Sequence, residues 1–281
     1  MTTGITGLPR IAIAMTAVEY AEAIVTFRDT FGMAVIDMSD QTVPDLGAHV
    51  GICQPVVGSN IELMAPADPS APLGMAMQRF LDRRGTGLYA LMLEADDPDD
   101  EAAAMADRGL HVLPLMAGAG GRDVHPKSTH GVLIRVYPTG SVAQPSDPVS
   151  GPPHLTGIVR ALLAVRNLAA ATHAWGHGLG LSAGAVEADA DRGVQSVPLR
   201  PPWGATVELV TPHDTTRLVA SEIERHLGSQ GEGLVALVLE TPDVAAASDA
   251  LRSEGIEVID GPLGAEVRLF GARFVLQPTS V

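Results

Sequence analysis

His125 and His130 bracket Pro126, Lys127, Ser128 and Thr129, so two imidazoles and one ammonium share a short loop. Imidazole titrates near neutral pH and an ammonium is a point charge for anions. The loop can therefore hold a ligand, or it is simply a polar hairpin turn. Asp45 stands two residues before Gly47, where a carboxylate serves either as a general base or as a turn former. His173 and His177 lie one helical turn apart, a spacing able to chelate a metal. No third ligand accompanies them and Gly-Leu-Gly follows, which reads as a solvated helix face. Cys53 is the single cysteine, which excludes an intrachain disulfide framework and a Cys-rich zinc site. It reads as a small buried hydrophobe in a strand. There is no Gly-x-Gly-x-x-Gly after a strand, no Gly-x-Ser-x-Gly elbow and no Cys–His pairing. A dinucleotide fold and a covalent nucleophile are not indicated.

Composition narrows the partners. The 281 residues are 46% hydrophobic and 18% charged, enough apolar material for a packed core. The net charge of −15 opposes binding to nucleic acid and to anionic membrane surfaces. No apolar run approaches the ~20 residues of a membrane span, and Met1–Pro9 carries no basic residue of a secretory signal. The expectation is a cytoplasmic protein.

The elements that must position these residues come twice. Gly-Thr-Gly-Leu-Tyr-Ala-Leu-Met-Leu-Glu (85–94) reappears as Gly-Glu-Gly-Leu-Val-Ala-Leu-Val-Leu-Glu (231–240), at an offset of 146. The same offset relates Ile61-Glu62-Leu63 to Val207-Glu208-Leu209, Gly58 to Gly204 and Asp45 to Asp191. Near the start it becomes 150, relating Arg10 to Arg160. Pro138–Pro153 holds five prolines, a linker composition. The domains expected are 7–137 and 157–281, joined by a Pro-rich linker, 138–156. Within the first, Arg10–Met15 alternates like a strand. Val18–Phe31 has helical spacing with Tyr20, Ala21, Ile24, Phe27 and Phe31 on one stripe, and Gly32 sits at its end. Strands follow at 33–38, 48–54 and 60–64. A second round is a strand at 88–94, a helix at 97–108 and strands at 110–113, 121–125 and 131–137. The order is β-α-β-β-β, twice per domain.

That order resembles the vicinal oxygen chelate superfamily, which includes glyoxalase I, extradiol dioxygenases and bleomycin-resistance proteins. The first copy is similar to methylmalonyl-CoA epimerase over nearly all of 8–137. The residues that carry this are Phe27-Arg-Asp-Thr-Phe-Gly-Met, Val43-Pro-Asp-Leu-Gly, Ile61-Glu-Leu-Met-Ala-Pro, Phe80-Leu-Asp-Arg-Arg-Gly-Thr-Gly-Leu and His125-Pro-Lys-Ser-Thr-His-Gly-Val-Leu-Ile. The second copy lacks the His125–His130 loop. The resemblance implies an α+β fold of tandem domains, each made of two βαβββ units that curl into a mixed-sheet cup of eight strands with two covering helices. The tandem copies would form an intrachain pseudo-dimer in a monomer, or the chain a homodimer.

Family members hold a divalent metal through one side chain from each of four strands. Those positions match Arg10, Glu62, Ala90 and Arg135, and in the second copy Arg160, Glu208, Ala236 and Val275. Arginine has no lone pair to give and alanine no donor, so the expectation is no metal and no cofactor. Arg10 and Arg135 would face the cup with Glu62 neutralising one. The other guanidinium would be free for a substrate carboxylate or enolate, or both would plug a dead cup. Asp45 would be the base, with His49 the alternative if it faces the cup. His125, Lys127, His130 and Tyr89 would contact a small carboxylate or CoA ester. Three functions follow: a metal-independent isomerase or lyase abstracting a proton beside a carbonyl, with the first domain working; a small-molecule sequestering protein of the bleomycin-resistance kind; or a structural module. The epimerase-type motifs favour the first.

Overall fold

In the computed structural model, which describes residues 4–39, 46–142 and 153–279, the strand Ile5–Ala14 (β1) is buried along almost its whole length. A strand apolar on both faces belongs in the middle of a covered sheet, and β1 is the central strand of seven. In chain order come α1 (Ala17–Val25), β2 (Ala34–Asp37), β3 (Ala48–Gln54), β4 (Val57–Gly58), β5 (Asn60–Pro66), α2 (Pro72–Arg84), β6 (Gly87–Ala95), α3 (Pro98–Asp107), β7 (Arg122–Val124) and β8 (Leu133–Pro138). Their sheet runs β2-β3-β5-β1-β6-β8-β7. The helix α1 starts at a capping box of Thr16 and Glu19 and continues as a π turn, Thr26–Thr30. Its buried stripe of Tyr20, Ala23 and Phe27 meets the outer face of the sheet, to which Ile11, Ile13 and Cys53 point.

The second half repeats this with β9 (Gly157–Ala164), α4 (Leu168–Thr172), β10 (Ser182–Ala183), β11 (Glu187–Asp189), β12 (Val194–Arg200), β13 (Thr206–Pro212), α5 (Leu218–Ser229), β14 (Gly233–Thr241), α6 (Val244–Ser253), β15 (Val258–Gly261), β16 (Gly264–Leu269) and β17 (Ala272–Pro278). Eight of its strands lie in the order β10-β12-β13-β9-β14-β17-β16-β15, with β11 on β12. In the first half the strand expected at 110–113 shrinks to one bridge, Val112 to Val124. Pro114 has no N–H with which to extend that ladder. Each half also has a helix the sequence reading lacked. α2 and α5 lie on the concave face, where Leu73 and Met77 pack with Ala12, Met64, Ala90 and Met92. Val219, Ile223 and Leu227 do the same with Leu162, Val210, Ala236 and Val275.

Strand register tests the repeat directly. Ala12 pairs with Glu62 and Leu162 with Glu208. Arg10 pairs with Met92 and Arg160 with Val238, while those two partners lie beside Arg135 and Val275. The residues matched by sequence thus hold matching places.

The halves exchange edges. Val57 and Gly58 of β4 lie beside Gly157 and Ile158 of β9, and Leu8 bridges Gly204 in the mirrored contact. Leu8 N–H donates to Trp203 O at 3.0 Å and Val57 N–H to Thr156 O at 2.8 Å. Phe27 and Phe31 from the first half meet Phe274 from the second, both at 5.9 Å, so one core spans the two. Backbone passes so close at the exchange that only glycine fits. A Cβ on Gly58 (φ +77°) would stand 1.9 Å from Ile158 O, and one on Gly204 (φ +92°) 2.2 Å from Leu8 O.

Gly58→Ala and Gly204→Ala are therefore expected to cost more than the ~1–2 kcal/mol of left-handed alanine alone. Gly109→Ala (φ +90°, nothing within 4 Å of the added Cβ) should cost only that backbone strain. Urea unfolding of the three variants checks this, and equal losses would remove the close-contact account.

Candidate functional site

The four strand positions that define each cup's centre are occupied differently in the two halves. In the first, Arg10 Nη1 stands 3.4 Å from Glu62 Oε2, with 8% and 3% of the side chains exposed. Arg10 Nη2 donates to Ser141 Oγ at 3.1 Å, and its guanidinium lies 4.3 Å from the centre of the Tyr137 ring. Ser141 in turn donates N–H and Oγ–H to Glu94, both at 2.8 Å. Arg135 is not free for a ligand. Its Nε and Nη2 donate to Asp123 Oδ1 and Oδ2 at 2.6 and 2.7 Å, a buried bidentate pair. Burial works against the Arg135 charge, and the hydrogen bonds to Asp123 outweigh it and raise its pKa. Asp123 lies directly across from Arg135 on β7. Tyr137 covers both guanidiniums, the second at 5.8 Å. This end of the first cup is a closed ionic plug.

The remaining first-half candidates do not converge on it. Asp45 lies outside the described residues, and its counterpart Asp191 stands exposed in the turn between β11 and β12. His49 faces away from the cup, because on β3 it is Ala48, Val50 and Ile52 that point inward. Its ring lies 5.7 Å from Tyr20 of α1. The His125–His130 loop meets the other half instead of the cup's mouth. His130 Nδ1 is 2.8 Å from Glu232 Oε2, while Lys127 is exposed. His125 Nδ1 accepts the Lys127 N–H at 3.0 Å, and its ring stacks on His111 at 5.1 Å. Tyr89 packs edge-on against Phe80 of α2 at 4.9 Å. Burial, with the nearby Asp123 charge, pushes its hydroxyl up to about 12. His173 and His177 lie on a π turn, His173–Gly178, with rings stacked 4.9 Å apart. Trp175, between them, is fully buried in the core.

The second half keeps the ion pair and loses the plug. Arg160 Nη1 donates to Glu208 Oε2 at 2.8 Å and Nη2 to Gln277 Oε1 at 2.6 Å. Gln277 sits beside Glu240 as Tyr137 sits beside Glu94. Gln277 Nε2 donates to Glu240 Oε1 at 3.4 Å. The shorter residue leaves a cavity of about 290 Å³, whose lining includes Arg160, Glu187, Ser196, Arg200, Glu208, Glu240 and Gln277. The Arg160 side chain is 32% exposed against 8% for Arg10. Arg200 makes no ion pair among the described residues. Sequence reasoning missed Asp123, Tyr137, Ser141, Gln277 and Arg200. The 146-residue offset, carried one strand further, pairs Gly58 with Gly204 but gives no sign of which side chain seals which cup.

A curved mixed sheet of βαβββ units, doubled within one chain, defines the vicinal oxygen chelate class of fold. The chain belongs to the Glyoxalase/Bleomycin resistance protein/Dioxygenase superfamily, whose family model matches residues 11–125 and 161–271. A mutant of 4-hydroxymandelate synthase from Streptomyces coelicolor is similar over 99% of this chain and 94% of its own, at 12% identity and a TM-score of 0.68. A xylose isomerase-like TIM barrel/4-hydroxyphenylpyruvate dioxygenase fusion protein is similar over 99% of this chain and 50% of its own, at 13% identity and a TM-score of 0.64. Methylmalonyl-CoA epimerase from Mycobacterium tuberculosis covers 50% of this chain and 92% of its own, at 28% identity and a TM-score of 0.41. No curated protein matches the chain significantly. No helix among the described residues is long and apolar enough to cross a membrane.

These findings correct the assignment of a metal-independent isomerase or lyase. The whole-chain matches are to a synthase and a dioxygenase fusion. Geometry agrees, since the arginine meant to hold an enolate is held by Asp123. The neighbours' chemistry is not inherited either, because 12–13% identity shares the fold alone. The superfamily's divalent metal does not fit the residues present. Each half offers one carboxylate at the four positions, beside arginine, alanine or valine. Among the described residues, no three His, Cys, Asp or Glu side chains stand together as a metal site.

Asp123→Ala leaves Arg135 buried and unpaired, and is expected to cost ~3–5 kcal/mol in urea unfolding. Asp29→Ala breaks the exposed Arg28 pair and should change little. His125 adds a pH dependence. Burial first, then His111 and Lys127, hold its pKa below the ordinary value. A lowered histidine stabilises the fold above the unfolded pKa, and that share is lost as pH falls below it. The urea midpoint should therefore drop less between pH 7 and 5 in His125→Asn than in the parent. An identical drop would remove His125 from the account.

Proposed function

We propose that the chain binds a small polar molecule bearing a carboxylate, in the cup of its second half, with the first half as a structural counterpart. The reading rests on one observation. Gln277 stands where Tyr137 seals the first cup, and a cavity of about 290 Å³ opens beside the Arg160–Glu208 pair. That size suits a small metabolite and is too small to enclose a coenzyme A moiety. Inside, Arg160 is engaged by Glu208 and Gln277, which fixes its geometry. Arg200 brings a guanidinium with no ion pair among the described residues, and its fork suits a carboxylate. Glu240 and Ser196 supply the acceptors and hydroxyl that orient the rest of the ligand. Membership of a superfamily of small-molecule enzymes and resistance proteins supports a small-molecule partner.

The test is calorimetric titration of small mono- and dicarboxylates against their methyl esters. Gln277→Tyr rebuilds the first half's plug and should abolish binding while the circular dichroism stays unchanged. Arg200→Gln should weaken binding by about 10- to 100-fold, the scale of one hydrogen bond to a charged group. Full affinity in Gln277→Tyr, or equal affinity for acids and esters, would sink the reading.

A further inference from the structure

The two halves differ again on the other side of the concave-face helices. In the first half Phe80 of α2 packs edge-on against Tyr89 of β6, between helix and sheet. The 146-residue offset places His226 and Val235 at those positions in the second half. Two large aromatic rings are thus replaced by an imidazole and a valine, and the space opens. A cavity of about 430 Å³ lies there, lined by Glu222, Arg225, His226, Val235, Arg268 and Arg273. It shares His226, Val235 and Arg268 with a neighbouring cavity of about 360 Å³, whose far wall is Phe80 and Arg84–Leu88 of the first half.

We propose that this cleft between α5, the β16–β17 hairpin and the first half binds a small molecule bearing a phosphate group. Charge carries the argument. Four guanidiniums, Arg84, Arg225, Arg268 and Arg273, face two carboxylates, Glu222 and Glu266, in a chain whose net charge is −15. Arg273 is spent on structure. It donates to Glu266 at 2.5 and 2.7 Å and to Glu222 at 2.9 Å, and so holds both carboxylates in place. Arg225 and Arg268 each come only to 3.6 Å from Glu222, and Arg268 to 3.7 Å from Glu266, all beyond good hydrogen bonds, so both keep N–H groups free. Arg84 makes no ion pair among the described residues. His226 Nε2 is shut from solvent and meets no hydrogen-bond partner among them. A buried ring nitrogen left unpaired is costly whichever tautomer the ring adopts. Burial, then the charges of Arg84 and Arg273, hold His226 below its ordinary pKa. A monocarboxylate would balance half of the excess positive charge. A phosphate monoester, at about −1.5 to −2, balances it.

The experiment is calorimetric titration of the full chain carrying Gln277→Tyr, which closes the other cavity to carboxylates, with pyrophosphate and with phenyl phosphate, acetate serving as the carboxylate control. Saturable one-to-one binding of the phosphates, with acetate at least tenfold weaker, is expected. Arg225→Gln with Arg268→Gln touches only exposed side chains, keeps the fold and should weaken binding at least tenfold. His226→Phe with Val235→Tyr rebuilds the first half's aromatic filling and should abolish it. Arg200→Gln, in the other cavity, should leave it unchanged. No saturation at millimolar phosphate, acetate binding as tightly, or full affinity in the double arginine variant would each overturn the proposal.

Discussion

A guanidinium on the first strand of each half, buried or half-buried at the cup's centre, cannot be left alone. Removing such a charge from water costs several kcal/mol, which only close partners offset. Arg10 and Arg160 stand on matching strands, and each has a glutamate on the neighbouring parallel strand, Glu62 or Glu208. Much of the rest of each cup follows from how that pair is completed. The first half adds Ser141, Glu94 and the face of Tyr137 and shuts out water. The second adds Gln277 and Arg192, the latter 3.8 Å from Glu208, and leaves the pair accessible. The same inherited charge pair is a stopper in one half and the floor of a cavity in the other.

The second basic pair diverges by moving one pleat. Asp123 and Glu266 hold the same register position, opposite Arg135 and Val275. With valine at the central position, Glu266 turns to Arg273, two residues back along β17. Because the side-chain period of a strand is two, Arg273 projects to the same face as Val275. The cation leaves the centre of the cup without leaving its wall. That shift takes charge away from the cavity beside Gln277 and delivers it to the cleft beneath α5.

How much of this the sequence could tell depends on where the information lies. The duplication was legible because strands such as 85–94 and 231–240 repeat residue by residue, and the glycines at 58 and 204 mark the contact where the halves exchange edges. Glu62 as a partner for Arg10 was legible too, because adjacent parallel strands place the two near each other. Asp123 was not. Its pairing with Arg135 crosses a hairpin whose register depends on the 3-10 turn at Pro126–Ser128, which a residue string does not display. The reading of His49 failed through a face assignment, since one step along a strand reverses inside and outside. α2 and α5 were missed because each spreads a few core residues among many charges, as in Leu73 and Met77 against Arg79, Asp82, Arg83 and Arg84.

Those two helices decide what the duplicated cups became. Lying on the concave face, each occupies the middle of its cup with apolar side chains, so open space can survive only at the two ends. In the first half both ends are filled by aromatic rings, Tyr137 at one and the Phe80–Tyr89 pair at the other. In the second half both ends carry smaller polar or aliphatic residues, Gln277 at one and His226 with Val235 at the other. Aromatic side chains bury the most surface per residue, which closes these ends in the first half, where the smaller residues leave them open in the second. A chain that duplicates a fold can divide closed and open ends between its copies, with the closed copy's Phe27 and Phe31 bracing Phe274 in the core of the open one.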